Sequence, residues 1–173
     1  MRSKSYFSAF KKIRFPLYLL MLSLIVVPLC SCNDKGGDDS DCSLQGTNLS
    51  IADISGNWVA TSATFFTTSD PIQTVNVVAE GGTVTLSIQS GGGFTLNISE
   101  SDGPSDSSAG DFCFDEDLLV VRFDGDDPDD WEYYRVQLTS GNNTLSIGGP
   151  AEFDFNGDGT PDPAEVELSL ART

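Results

Sequence analysis

Residues 154 to 165, "DFNGDGTPDPAE", place oxygen-bearing side chains at the first, third, fifth, ninth and twelfth positions and a glycine at the sixth. That is the ligand spacing of a calcium loop. In this reading Asp154, Asn156 and Asp158 give side-chain oxygens, Thr160 a backbone carbonyl, Asp162 a direct or water-mediated ligand, and Glu165 two oxygens, with Gly159 at the sharp turn. Calcium suits such a set because it takes roughly six to eight hard oxygens. Zinc does not, since the chain has no histidine and its cysteines lie elsewhere. Against the calcium reading, Pro161 stands at the eighth position, and the flanks "GGPAEF" and "VELSLART" read as strands rather than helices. The second reading is an acidic hairpin turn. A further cluster, "DGDDPDD" at 124–130, matches no ligand template and reads as a solvated turn whose like charges repel.

Catalytic chemistry finds little support. Without histidine the commonest general base is missing, and neither a Ser-His-Asp nor a Cys-His nucleophile can be assembled. "SGGGF" lacks the lysine and helix of a phosphate-binding loop. No carboxylate pair is marked out, so the chain reads as a non-enzyme. Trp131, Tyr133 and Tyr134 could stack on sugars, but such residues more often pack a β core.

The N-terminus is a targeting segment. "MRSKSYFSAFKKIR" carries Arg2, Lys4, Lys11, Lys12 and Arg14 and no acid, and an apolar run follows from Phe15 to Leu29. As a helix that run rises only about 22 Å, short of a hydrocarbon core of about 30 Å. It ends in "LCSCN", where Leu29, Ser31 and Cys32 resemble the lipobox of bacterial lipoproteins. The resemblance implies cleavage after residue 31 and acylation of Cys32 by chains such as diacylglycerol and palmitate, which together anchor a protein stably. An ordinary secretory signal is the other reading. Asn33 after the cysteine, by analogy with Gram-negative lipoproteins, implies an outer-membrane, lipid-anchored protein, periplasmic or surface-exposed. "NDKGGDDSD" then opens a flexible acidic tether over residues 32–53, and the folded domain spans 54–173.

Beyond residue 31 the chain keeps four cations, Lys35, Arg122, Arg135 and Arg172, against all 26 of its acids. Such a polyanion repels nucleic acid and anionic lipid and attracts divalent cations. Cys42 and Cys113 remain besides Cys32. In "DFCFD" alternation sets Phe112 and Phe114 on one face and Cys113 on the other, where the segment bearing Cys42 could cross it. Outside the cytoplasm the two could pair as a disulfide; two free thiols are the alternative.

These groups need elements to hold them, and the elements are strands. "TVTLSI", "FTLNI" and "VELSL" alternate apolar with polar residues, and "NWVATSATF", "QTVNVVA", "DLLVVRF", "WEYYRVQL", "TLSI" and "EFDF" are further candidates. No window supports an amphipathic helix. Short connections such as "EGG", "SGGG", "SGNN" and "GGP" join antiparallel neighbours. The expected fold is all-β, an antiparallel up-and-down meander of roughly eight to ten strands closing into a small barrel. A β-sandwich is the alternative.

"ISGNWVATS", with Gly56 and Trp58, resembles the Gly-x-Trp opening of lipocalins, and "EFDFNGDGTPDPAEVELSLAR" looks like the closing hairpin of small lipocalin-like lipoproteins of Bacteroidetes-type bacteria. The resemblance implies that Trp58 closes the barrel floor under Arg172 and that a hydrophobic small molecule is bound inside. The chain departs from larger lipocalins by its shortness and by lacking a C-terminal helix, and no pocket residue can be named from it. A lipoprotein with a filled barrel, serving structure or partner binding and stiffened by calcium, is the alternative function.

Overall fold

The computed structural model describes residues 42–101, 105–139 and 141–173. The expected signal segment 1–31, Cys32 and the tether up to residue 41 lie outside the described residues.

The strands are β1 (Gly56–Thr67), β2 (Thr74–Asn76), β3 (Thr83–Ile88), β4 (Gly93–Ser99), β5 (Ser105–Asp115), β6 (Leu118–Phe123), β7 (Glu132–Leu138), β8 (Thr144–Phe153) and β9 (Asp162–Arg172). Alternation governs their burial. In β3, Val84, Leu86 and Ile88 are buried while Thr83 and Ser87 are exposed, because successive side chains leave opposite faces of a strand.

Each strand from β3 to β9 pairs antiparallel with the next, and β1 pairs with both β3 and β9. The β1–β9 ladder runs from Trp58↔Arg172 to Thr67↔Ala164, with a bulge between Ala60 and Ser62. That ladder closes the sheet, so eight strands form an antiparallel barrel rather than a two-sheet sandwich. The ninth, β2, lies on the outer half of β1, pairing Thr64 to Phe66 with Thr74 to Asn76.

Residues 42–53 correct the expectation of a flexible tether ending at residue 53. Ser43 bridges Phe114, and a four-residue helix α1 (Ile51–Ile54) packs on the barrel with Ile51 and Ile54 fully buried. A capping box holds the helix: Ser50 and Asp53 each satisfy the other's backbone N–H. The helix is one turn long, too short to show a 3.6-residue period, which is why the alternation of the chain concealed it.

The two ends of the barrel differ. At the end holding the N-terminus of β1 and the C-terminus of β9, Trp58, Phe114, Leu119, Leu145 and Leu170 are at most 1% exposed. Ile51 and Ile54 cover that end as a floor. At the other end the loops β1–β2, β2–β3, β6–β7 and β8–β9 border a mouth.

Candidate functional site

The floor is built around one side chain pair. The Arg172 guanidinium lies 4.2 Å from the centroid of the Trp58 ring, and Trp58 Nε1 donates to Ile54 O at 2.9 Å. Arg172 donates in turn to the carbonyls of Asn142, Asp53 and Ser55. Gly56 explains itself here: its φ is +127°, and a Cβ would sit 2.8 Å from Arg172 Nη1. Any other residue would be strained in that conformation and would displace the cation. Gly56, Trp58 and Arg172 therefore meet as one unit in the floor.

Above the floor the interior is not filled. A cavity of about 840 Å³ runs to the mouth. Its wall is apolar, including Val84, Leu86, Phe94, Ile98, Phe112, Val121 and Ile147. Leu96 and Leu168 face inward by alternation yet are only partly buried, because they border this space. Phe94 stacks on Phe112 with centroids 4.1 Å apart, which stiffens one wall. Gly149 makes room on another: a Cβ there would meet the Tyr134 ring at 2.5 Å.

Carboxylates line the outer part of the same cavity, namely Asp106, Asp124, Asp126, Asp130, Glu132 and Glu152. Two of them occupy inward strand positions. Glu132 is in phase with buried Tyr134 on β7, and Asp106 is in phase with buried Phe112 and Phe114 on β5. The Tyr134 hydroxyl reaches both Glu132 Oε2 at 2.6 Å and Pro150 O at 2.9 Å. The one phenolic proton is offered to both acceptors, and only when Glu132 is itself protonated can the carboxyl donate to Tyr134 while Tyr134 donates to Pro150. Burial pushes the Glu132 carboxyl above its ordinary range, and the charges of Asp126, Asp130 and Glu152 add to this against the Tyr134 hydrogen bond. Tyr134 is likewise pushed well up, by burial and then by Glu132.

A consequence for pH follows. With its folded pKa raised, Glu132 binds a proton in the native state at pH values where the unfolded chain has lost it. Its contribution to stability is present below that window and is lost as pH rises through the folded pKa. The difference in melting temperature between wild type and Glu132→Gln is therefore expected to change across this window, with wild type losing ground as pH rises. Parallel melting profiles would contradict the assignment.

The 154–165 loop is organised from within. Asp154 is 2% exposed. Its Oδ1 accepts from the N–H groups of Gly157 and Asp158, and its Oδ2 from that of Gly159 at 2.7 Å. Asn156 and Asp158 fold back similarly onto the N–H groups of Asp158 and Thr160. These are turns in which a side chain stands in for a backbone acceptor. Asp162 begins β9, and Glu165 lies within it, paired opposite Phe66 and Pro150. Among the described residues no three acidic or thiol side chains gather into a metal site. Asp154→Ala is expected to destabilise the chain by roughly 2–3 kcal/mol, since the N–H groups lose a charged acceptor. Thermal melting checks this. The calcium reading is tested by the melting temperature of wild type with and without millimolar calcium: a rise supports it and an unmoved transition removes it.

Cys42 and Cys113 form a disulfide with Cα atoms 5.4 Å apart. Cys113 lies opposite Val120 near the floor, on the face away from Phe112 and Phe114. Arg122 covers one face of the half-buried Trp131 ring at 4.6 Å while pairing with Asp111. Tyr134 faces the interior, which leaves Tyr133 as the exposed member of that aromatic group.

Neither a scan against protein-family models nor a search of the curated proteins finds a match to this chain. The cavity itself was not visible to sequence reasoning. Its signal was the phase of "WEYYRVQL" and "SDSSAGDFCF", which sets a carboxylate on the inward face of each strand.

Proposed function

We propose that this chain is a lipocalin-like lipoprotein of the bacterial cell envelope that binds a small hydrophobic molecule inside its barrel, without catalysis. The observation that carries the reading is the apolar cavity of about 840 Å³, with Leu96 and Leu168 turned inward but incompletely covered. Its size falls in the range of small-molecule pockets, roughly 300–1,000 Å³. The Gly56–Trp58–Arg172 floor supports the lipocalin likeness, and the cavity speaks against the alternative of a filled barrel serving structure alone. Acylation of Cys32 and an outer-membrane position, periplasmic or surface-exposed, belong to the same proposal. About ten residues separate Cys32 from Cys42, a reach of at most about 35 Å. Cys42 is fastened near the floor, so the tether would enter the domain at the end opposite the mouth.

Titration with a neutral apolar fluorophore tests the reading. Saturable binding is expected in wild type and a loss of about tenfold or more in Ser108→Trp, which puts an indole into the cavity from an inward position on β5. Equal binding by both proteins, or none by wild type, would remove it.

A further inference from the structure

The acids at the mouth say something about the ligand that the apolar wall does not. We propose that the molecule held in this barrel is a cationic amphiphile, an apolar body with an ammonium or guanidinium head, whose head is received by Asp106 and Glu132. The inference rests on the binding reading above and specifies its ligand class.

The cavity establishes the site, and four observations give it a sign. First, among the described residues every charged side chain bordering the cavity is acidic: six carboxylates and neither lysine nor arginine. Second, the three arginines of the described residues are engaged elsewhere. Arg122 pairs with Asp111 at 3.1 Å, Arg135 pairs with Glu167 at 3.0 Å, and Arg172 sits in the floor. Third, Asp106 and Glu132 are not loop residues free to swing into water; alternation of their strands turns them inward. Fourth, Asp106 Oδ2 is buried without a hydrogen-bond partner. A buried carboxylate oxygen lacking both a donor and a counter-charge is costly. An incoming N–H or ammonium group offsets that cost. An anionic head would be repelled by the ionised acids of the rim.

Burial first, and then the charges of Asp126, Asp130 and Glu152, raise the proton affinity of Glu132, and an ammonium head placed beside it would draw that proton off. A fatty acid, the obvious apolar ligand, is therefore the wrong sign. A neutral alcohol would fill the cavity without relieving the rim.

The test uses the full chain in lipid nanodiscs, with empty nanodiscs as reference, dialysed against dodecyltrimethylammonium, dodecanol and dodecanoate. The cationic probe is expected to bind about tenfold more tightly than dodecanol, and dodecanoate more weakly than either. Raising the salt concentration should shrink the preference, because the rim is open to solvent. In Glu132→Gln and in Asp106→Asn, each first shown to melt cooperatively, the ratio of cationic to neutral affinity should fall several-fold. Binding of dodecanol and dodecyltrimethylammonium with equal affinity overturns this inference and leaves the binding reading standing. Binding of no probe above the nanodisc reference overturns both. A preference undiminished in the two variants overturns the assignment to Asp106 and Glu132.

Discussion

Trp58→Ala is expected to destabilise the barrel by about 3–5 kcal/mol, the range for removing a fully buried aromatic. The residue is 1% exposed and meets α1 through its indole N–H and Arg172 through its ring face. Truncation opens a void at the floor, strands the Ile54 carbonyl, and leaves the guanidinium without its aromatic partner. The loss should therefore lie toward the upper end of the range, and Arg172→Ala alone should cost less. The cation–π contact contributes only about 0.5–2 kcal/mol, although three carbonyls lose donors as well. Urea denaturation of the two single variants and the double variant measures this. A strongly sub-additive double is expected, because the two side chains support the same contact. Additive losses would mean that they act separately.

Reduction of the Cys42–Cys113 disulfide comes second. The bond closes a loop with a sequence separation of 71. On the chain-entropy account such a loop gives roughly 4 kcal/mol. The effect is expected to be two-part. Cys113→Ser should lower the melting temperature on the order of 15 °C for a domain of this size. It should also loosen residues 42–50, whose other attachments are the Ser43–Phe114 bridge, backbone bonds such as Thr47 N to Glu116 O, the Asn48–Asp117 side-chain bond and the packing of Leu49 on the core. Amide hydrogen exchange checks the second part. Protection at Ser43 and Gly46 should collapse in the variant, while protection along β3 and β4 changes only with global stability. Unchanged protection at Ser43 would show that the N-terminal segment is held by packing rather than by the covalent link.

Much of the architecture was legible in the sequence because the strands alternate cleanly and the connections are too short for crossovers. Val84, Leu86 and Ile88 are buried as their phase required, and Phe112 and Phe114 turn inward with Cys113 behind them. The floor was legible for a different reason: Gly56 and Trp58 stand close together at the head of β1, and Arg172 closes β9 opposite Trp58. What stayed hidden depends on which segments share an end of the barrel. "DGDDPDD" and "DFNGDGTPDPAE" looked like separate acidic turns. Closure places both at the mouth, where the first joins Asp106, Glu132 and Glu152 around one cavity. The inward phase of Glu132 was available in "WEYYRVQL", but a carboxylate on a core face has no meaning until the core is known to be hollow there. The 154–165 loop poses the opposite problem. Its spacing invites a metal, yet Asp154 accepts three backbone N–H groups, which local sequence spacing cannot distinguish from ion ligation.

The account stands or falls on whether the barrel interior admits a guest. The most direct measurement follows methyl resonances of the chain as dodecanol is added. Saturable shifts are expected at Val84, Leu86, Leu96, Ile98, Val121 and Ile147, which face the cavity, while Val59 and Leu118 on the outer surface stay still. Shifts confined to Val59 and Leu118, or no saturable shift at any of these methyls, would contradict it.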